Sequence, residues 1–294
     1  MIRFDGRVVL VTGAASGLGA EYSRYLATRG ASVVLADVDD RVREVASELG
    51  AAASVGDLSA AEAAERAVRL AVDTHGQLDG VVCNAGLAAA AGPVHRFDEA
   101  SFERVLRSHL HHTLLVCRAA WRQLCEADAA SIVTTSSATA LGLAGTSDYA
   151  AAKGAIWSTT RSMALDGARH QIRVNTVMPM AYTPMAAGFP NEDVRRWMRA
   201  AFDTVEVAPV VAWLLHPACS TTGECFTVGA GRVGRVVIAT TPGWQSVDPL
   251  TLETVAEQWE RACSLDGMTV AASSGDDARH FARALAAPSN GEGA

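Results

Sequence analysis

The sequence predicts an α/β protein: a single doubly wound parallel sheet with a helical C-terminal extension. Three observations lead there. Short apolar runs alternate with helix-period stretches over most of the chain. The runs are continuous rather than alternating apolar and polar, as in strands covered on both faces. The first run leads at once into a glycine-rich turn and a helix-like stretch. That order suits a bound pyrophosphate, because glycines let the backbone approach closely and a helix N-terminus offers free N–H groups and a positive dipole.

Residues 7–11 are the first strand, Thr12-Gly13-Ala14-Ala15-Ser16-Gly17-Leu18-Gly19 the turn, and 20–27 the body of the first helix. A second strand, 32–36, ends at Asp37, and a helix follows to about residue 49. Residues 52–55 form a short strand before Gly56-Asp57-Leu58, and 61–74 the next helix. The strand at 78–83 runs into Asn84-Ala85-Gly86, and a long helical pattern covers 102–125. Residues 131–135 lead to Ser136-Ser137; a helix carries Tyr149 to about residue 168; a strand at 172–177 ends near Pro179. Pro184, Gly188 and Pro190 loosen the pattern, so 183–205 reads as a substrate lid with a helix at 194–201. An apolar helix at 207–215 precedes a last strand between Gly223 and Gly229. Pro242-Gly243 marks a turn and 252–263 an amphipathic helix. The expected organisation is a binding and catalytic domain over 1–240, an extension over 241–286 packed on it, and a disordered tail at 287–294. Each motif falls at the carboxyl end of a strand, where such sheets bind ligands.

The chain has 294 residues, 49% hydrophobic and 19% charged, enough for one large core. A net charge of −7 without a basic cluster argues against a nucleic-acid partner. No apolar run reaches the length of a membrane span. The chain enters its first strand directly, and its six cysteines show no C-x-x-C pair, so a cytoplasmic protein with reduced thiols is expected. No metal site is expected: His109, His111 and His112 lie too close in sequence and lack a further ligand.

Asp37 stands where a carboxylate accepts hydrogen bonds from ribose hydroxyls and repels a 2′-phosphate. No Arg or Lys occupies Ala14, Ala15 or Val38. NAD is therefore expected over NADP. Tyr149 and Lys153 are four residues apart, on one face of a helix. A fixed ammonium beside a phenol favours the phenolate and lowers its pKa, which suits proton transfer to or from an alcohol oxygen.

These residues resemble the short-chain dehydrogenase/reductase family over about residues 5–240, through the Thr12–Gly19 turn, Asp57, Asn84-Ala85-Gly86, Ser137, Tyr149-x-x-x-Lys153 and the segment from Asn175 to Pro179. The resemblance implies a Rossmann-like domain that transfers hydride with NAD(P). By it, Gly13, Ser16, Gly17, Leu18 and Gly19 would hold the cofactor. Asp57 and Leu58 would line the adenine, and Asn84, Ala85 and Gly86 the ribose. Pro179 and Thr183 would stand near the nicotinamide. Tyr149 would be the general acid/base, Lys153 would tune it and bind ribose, and Ser137 would hold the substrate oxygen. A homodimer or homotetramer is implied, pairing the 102–125 and 149–168 helices.

Three departures stand out. His109 replaces the family's asparagine, which serves a water relay to the lysine. The loop before Tyr149 is one residue short, leaving Ser136 as an alternative to Ser137. Pro179-Met180 replaces Pro-Gly. Ser108-His109-Leu110, Arg118-Ala119-Ala120-Trp121 and Phe226-x-Val228-Gly229-Ala230-Gly231 are similar to the (3R)-hydroxyacyl-CoA dehydrogenase part of peroxisomal multifunctional enzymes and its bacterial relatives. A histidine at position 109 is consistent with that group. The short 37–57 segment and the alanine-rich 87–93 segment are not. The expected activity is oxidoreduction of a secondary alcohol or ketone, a small-molecule substrate. The alternatives are a ketoreductase of specialised metabolism acting on a ring ketone, polyketide or nucleoside, and a non-catalytic NAD-binding sensor or scaffold. Arg195, Arg196 and Arg199 are the candidates for a CoA phosphate site.

Overall fold

The apolar runs form strands β1 (Val8–Thr12), β2 (Ser32–Asp37), β3 (Ala52–Val55), β4 (Gly80–Cys83), β5 (Ser131–Thr135), β6 (Arg173–Pro179) and β7 (Cys225–Gly229). The computed structural model describes residues 1–88, 92–188, 191–246 and 248–286. The strands pair in the order β3-β2-β1-β4-β5-β6-β7, all parallel. An eighth strand, β8 (Arg232–Val236), pairs antiparallel with β7. The sequence reading stopped at Gly229 and missed β8. Its Arg232-Val233-Gly234-Arg235-Val236 is partly polar and lies at the sheet edge, so it lacks the continuous apolar character that marks the others.

Alternate residues of each strand feed opposite cores. On one face Val9, Val11, Val33, Leu35, Val133 and Val177 pack beneath helices α1 (Gly17–Thr28), α2 (Val42–Leu49) and a later helix, Ala208–Leu215. On the other, Val8, Leu10, Val34, Val81, Ile132 and Val174 meet α3 (Ala61–His75) and the long helical region after β4. A strand apolar at every position is the result. Asp79 joins β1 to β4 at the opposite end from the motifs. It accepts the Val8 N–H at 2.7 Å and pairs with Arg7 at 3.1 Å, both side chains mostly buried.

The long helix expected at 102–125 is interrupted. It runs as α4 (Glu99–Leu106), a π-helical turn (Arg107–His111) and α5 (His112–Glu126). A π-turn widens the helix by one residue and is common at functional sites. The remaining helices of this unit are α6 (Ser147–Gly167), α7 (Pro184–Ala187), α8 (Glu192–Ala201) and α9 (Ala208–Leu215).

The chain divides into two units, Met1–Val236 and Val237–Ala294. The second holds a two-stranded antiparallel ribbon, β9 (Ala239–Thr240) with β10 (Thr269–Val270), and helices α10 (Leu252–Cys263) and α11 (Ser274–Ala286). A reciprocal cap starts α10: Thr251 Oγ1 accepts the Thr254 N–H at 3.2 Å, and Thr254 Oγ1 accepts the Thr251 N–H at 3.1 Å. The expected tail at 287–294 lies outside the described residues, as do residues 89–91 of the alanine-rich segment and Pro190 of the lid.

Candidate active site

The sheet order reverses between β1 and β4, and the glycine turn sits at that crevice. Gly13 and Gly17 have positive φ, +67° and +56°. A Cβ on Gly13 would lie 2.7 Å from Ala85 Cα, and one on Gly19 2.1 Å from the Gly13 carbonyl oxygen. The turn therefore lies in direct contact with the Asn84–Ala85 segment. Asn84 Nδ2 donates to the carbonyls of Thr12 and Gly13, both at 3.3 Å. Ser16 is the N-cap of α1 in extended conformation, and its side chain makes no cap. The first N–H groups of α1 thus keep their capacity for an anion.

Asp37 is fixed beside this turn. One carboxylate oxygen accepts the Ala15 N–H at 2.9 Å, the other the Asp39 N–H at 3.0 Å. Leu18 packs against the core under α1. Thr183 and Pro184 close on the turn: a Cβ on Gly17 would meet Pro184 Cδ at 3.5 Å and Thr183 Cβ at 3.6 Å. The Thr183 hydroxyl caps α7 by accepting the Ala186 N–H at 3.3 Å. Asp57 is exposed and accepts the Ser59 N–H at 2.9 Å. Leu58 is only 5% exposed and belongs to the core, so it supports this corner more than it lines it. An uncapped helix N-terminus, a glycine cradle that side chains would fill and a fixed carboxylate fit a dinucleotide.

Tyr149 and Lys153 project from the first turns of α6. Lys153 is the only lysine among the 25 basic residues, and it is 3% exposed. Its Nζ donates to the Thr135 carbonyl at 2.8 Å and lies 5.5 Å from the Tyr149 ring centre. Burial pulls its pKa down to about 7. Burial pushes the Tyr149 phenol up to about 12, with the Ser137 hydroxyl acting in the opposite direction. The ammonium was expected to lower the phenol pKa; burial pushes it the other way. Nζ is directed at a carbonyl and at the ring, while the phenol hydroxyl points to Met185 Sδ at 3.9 Å. The two serines separate clearly. Ser136 is buried and its hydroxyl donates to the Lys153 carbonyl at 2.7 Å. Ser137 is half-buried and bonds Thr139, whose N–H it accepts at 3.2 Å, so it is the serine that faces Tyr149. Pro179 ends β6, and Met180 after it rests its carbonyl against Gly229.

His109 lies in the π-turn and is 1% exposed. Its Nε2–H donates to the Leu87 carbonyl at 2.9 Å, and its ring meets Tyr149 edge-on at 5.3 Å. Nδ1 is buried with no hydrogen-bond partner among the described residues. Burial, then the Lys153 charge, hold His109 well below the usual histidine range. His111 is exposed, whereas His112 is buried like His109. It lies one turn on, and Nε2 is 2.9 Å from Thr12 Oγ1. Thr135 and Met185 carry no signal in the sequence, and the contact of His112 with Thr12 was not foreseen. The i, i+3 spacing from His109 and the solitary lysine were the available signals.

Gly86 and His109 depend on each other. A Cβ on Gly86 would lie 2.0 Å from His109 Cε1. Gly86→Ala should destabilise the protein by about 1–3 kcal/mol through overpacking. His109→Ser in the same chain should recover most of it. Denaturant unfolding of the two single variants and the double variant checks this; purely additive effects would show that the contact is absent.

A family model described as short chain dehydrogenase matches residues 7–193. Peroxisomal multifunctional enzyme type 2 of Mus musculus is 35% identical over 280 residues, covering 89% of this chain. The chain spans 37% of that protein's length. Cis-4-hydroxycyclohexanecarboxylate dehydrogenase of Sinomonas cyclohexanicum is 38% identical over 240 residues, 77% of this chain and 94% of that one. Among solved structures, a short chain dehydrogenase from Mycobacterium avium superposes with TM-score 0.77 at 28% identity, over 89% of this chain and 97% of that one. A 3-ketoacyl-(acyl-carrier-protein) reductase from Brucella melitensis complexed with NADH gives 0.73 at 27% identity, over 78% and 99%. A short chain dehydrogenase from Burkholderia cenocepacia in complex with NADP gives 0.70 at 28% identity, over 78% and 98%. With the strand order and the glycine cradle already described, these matches identify the chain as a member of the short-chain dehydrogenase/reductase family, an oxidoreductase on a Rossmann fold.

Proposed function

We propose that the protein interconverts a secondary alcohol and its ketone, with Tyr149 as general acid/base and NAD preferred over NADP. The observation that carries this is the group of half-buried Tyr149 and Ser137 with buried Lys153 beside the glycine cradle. The cofactor would be held by Gly13, Ser16, Gly17, Leu18, Gly19, by Asp37 at its ribose, and by Asp57, Asn84, Ala85, Gly86, Pro179 and Thr183 along its length. When bound, it supplies the acceptor or donor of the hydride. The chain's own residues handle the proton. Ser137 positions the substrate oxygen at the phenol. Tyr149 gives its proton to that oxygen in reduction and takes it in oxidation. Lys153 supplies positive charge beneath the ring, which favours the phenolate once its amine is protonated. A substrate oxygen takes the place of Met185 as partner of the Tyr149 hydroxyl.

NAD preference rests on Asp37, whose fixed carboxylate would repel a 2′-phosphate. The substrate has an apolar body on this reading, because Leu87, Leu141, Leu143, Met180 and Met185 are exposed in the segments that frame Tyr149. The arginines considered for CoA phosphates are engaged: Arg195 pairs with Glu192, Arg196 with Asp193 at 3.4 Å, and Arg199 donates to the Tyr182 hydroxyl at 2.8 Å. That favours a carrier-free ketone, such as a ring ketone, over a 3-hydroxyacyl-CoA. A homodimer or homotetramer is part of the proposal, supported by exposed Leu114 on α5 and Leu165 on α6. No described helix is long and apolar enough to cross a membrane, and a cytoplasmic location is proposed.

Initial rates followed by NADH absorbance test the reading. Ring ketones should turn over, faster with NADH than with NADPH. Tyr149→Phe should lower kcat by about 10²-fold or more while NADH binding stays within about threefold. A variant that keeps a tenth of the activity excludes the role, and equal kcat/KM for both cofactors excludes the Asp37 argument. The bare Nδ1 of His109 supports a proton relay from Lys153 toward solvent. His109→Asn should keep most activity, and His109→Leu should lower kcat with the fold intact by circular dichroism. Normal turnover by the leucine variant assigns His109 a structural role.

A further inference from the structure

His112 has no part in the chemistry proposed above, yet it is 2% exposed and touches the cradle. Its partner, the Thr12 hydroxyl, joins three segments. It accepts the N–H of Asn84 at 3.0 Å and of Ala85 at 3.3 Å. A hydroxyl has two lone pairs and one proton. With both lone pairs engaged, only the proton remains, for His112 Nε2 at 2.9 Å or for the Val82 carbonyl at 3.2 Å. The shorter contact is to His112. In the tautomer protonated at Nδ1, the bare Nε2 accepts that proton. The ring stays neutral: burial, then the Lys153 charge, pull its pKa down to about 4 against the opposing effect of Asp57.

We propose that His112 is a positioning residue for the cofactor cleft. By taking the Thr12 proton it turns that hydroxyl's lone pairs onto the Asn84 and Ala85 N–H groups, and so holds the 84–86 wall against the glycine turn. The proposal rests on the reading of this cleft as the dinucleotide site. The wall has little slack, because Gly13 touches Ala85 on one side and Gly86 touches His109 on the other. A hydroxyl that turned away would release both.

Two readouts separate the proposal from the reading beneath it. Backbone hydrogen exchange at Asn84 and Ala85 needs no cofactor; NADH affinity does. In His112→Leu, those two amides should exchange about tenfold faster, and the NADH Kd and KM should rise about tenfold, with kcat falling less than about threefold. Amides of Val81 and Val82 should be unchanged. His112→Gln offers an acceptor oxygen and should restore both readouts. Thr12→Val should reproduce the leucine phenotype and Thr12→Ser the wild type, which carries the test if the leucine variant does not fold. Wild-type exchange at Asn84 and Ala85 in His112→Leu overturns the proposal. So does faster exchange spread over all of β4, which would mark a purely structural residue, or failure of the glutamine variant to recover. If the wild type binds neither NADH nor NADPH, the dinucleotide reading fails, and the exchange rates still decide the role of His112.

Discussion

Burial of a single ammonium organises the site. Lys153 is removed from water, and its Nζ donates to the Thr135 carbonyl. Taking an amine out of water without a counter-ion disfavours its charged form, and such groups gather at functional sites. Its surroundings answer to it. His109 and His112 are both held neutral in part by its positive charge. Ser136 fixes the backbone at Lys153, and Tyr149 presents its ring to Nζ. These groups come from the end of β5, from α6 itself, and from the π-turn and α5.

The sheet explains why these elements meet. β1, β4 and β5 are neighbours whose carboxyl ends carry the glycine turn, the Asn84 segment and the Ser136–Ser137 pair. The Thr12 hydroxyl ties the first two together, and Gly86 lets His109 approach from the helix above. His109 in the π-turn and His112 at the start of α5 both point inward, one toward Tyr149 and the other toward Thr12.

Much of this was legible in the sequence. Continuous apolar strands and a glycine turn after the first of them specify the sheet, because their period and their position relative to the helix admit few alternatives. Tyr149 and Lys153 could be paired by their spacing. Other features could not be read. β8 is a partly polar edge strand. The π-turn leaves no periodic trace in five residues. The choice between Ser136 and Ser137 depends on which hydroxyl the Lys153 carbonyl captures, a tertiary fact. The resemblance puts Leu58 along the adenine, and that its side chain lies in the core could not be read from sequence. Burial of the Tyr149 phenol, which pushes its pKa up, could not be read from its spacing to Lys153.

The most direct test uses the solitary lysine. Protein labelled with nitrogen-15 at lysine Nζ has one side-chain amine signal to follow through a pH titration. Burial pulls the pKa of this amine down, so the expected midpoint is about 7. A midpoint near 10.5, the value for a lysine in water, would show that Lys153 is solvated and would contradict the account of the site.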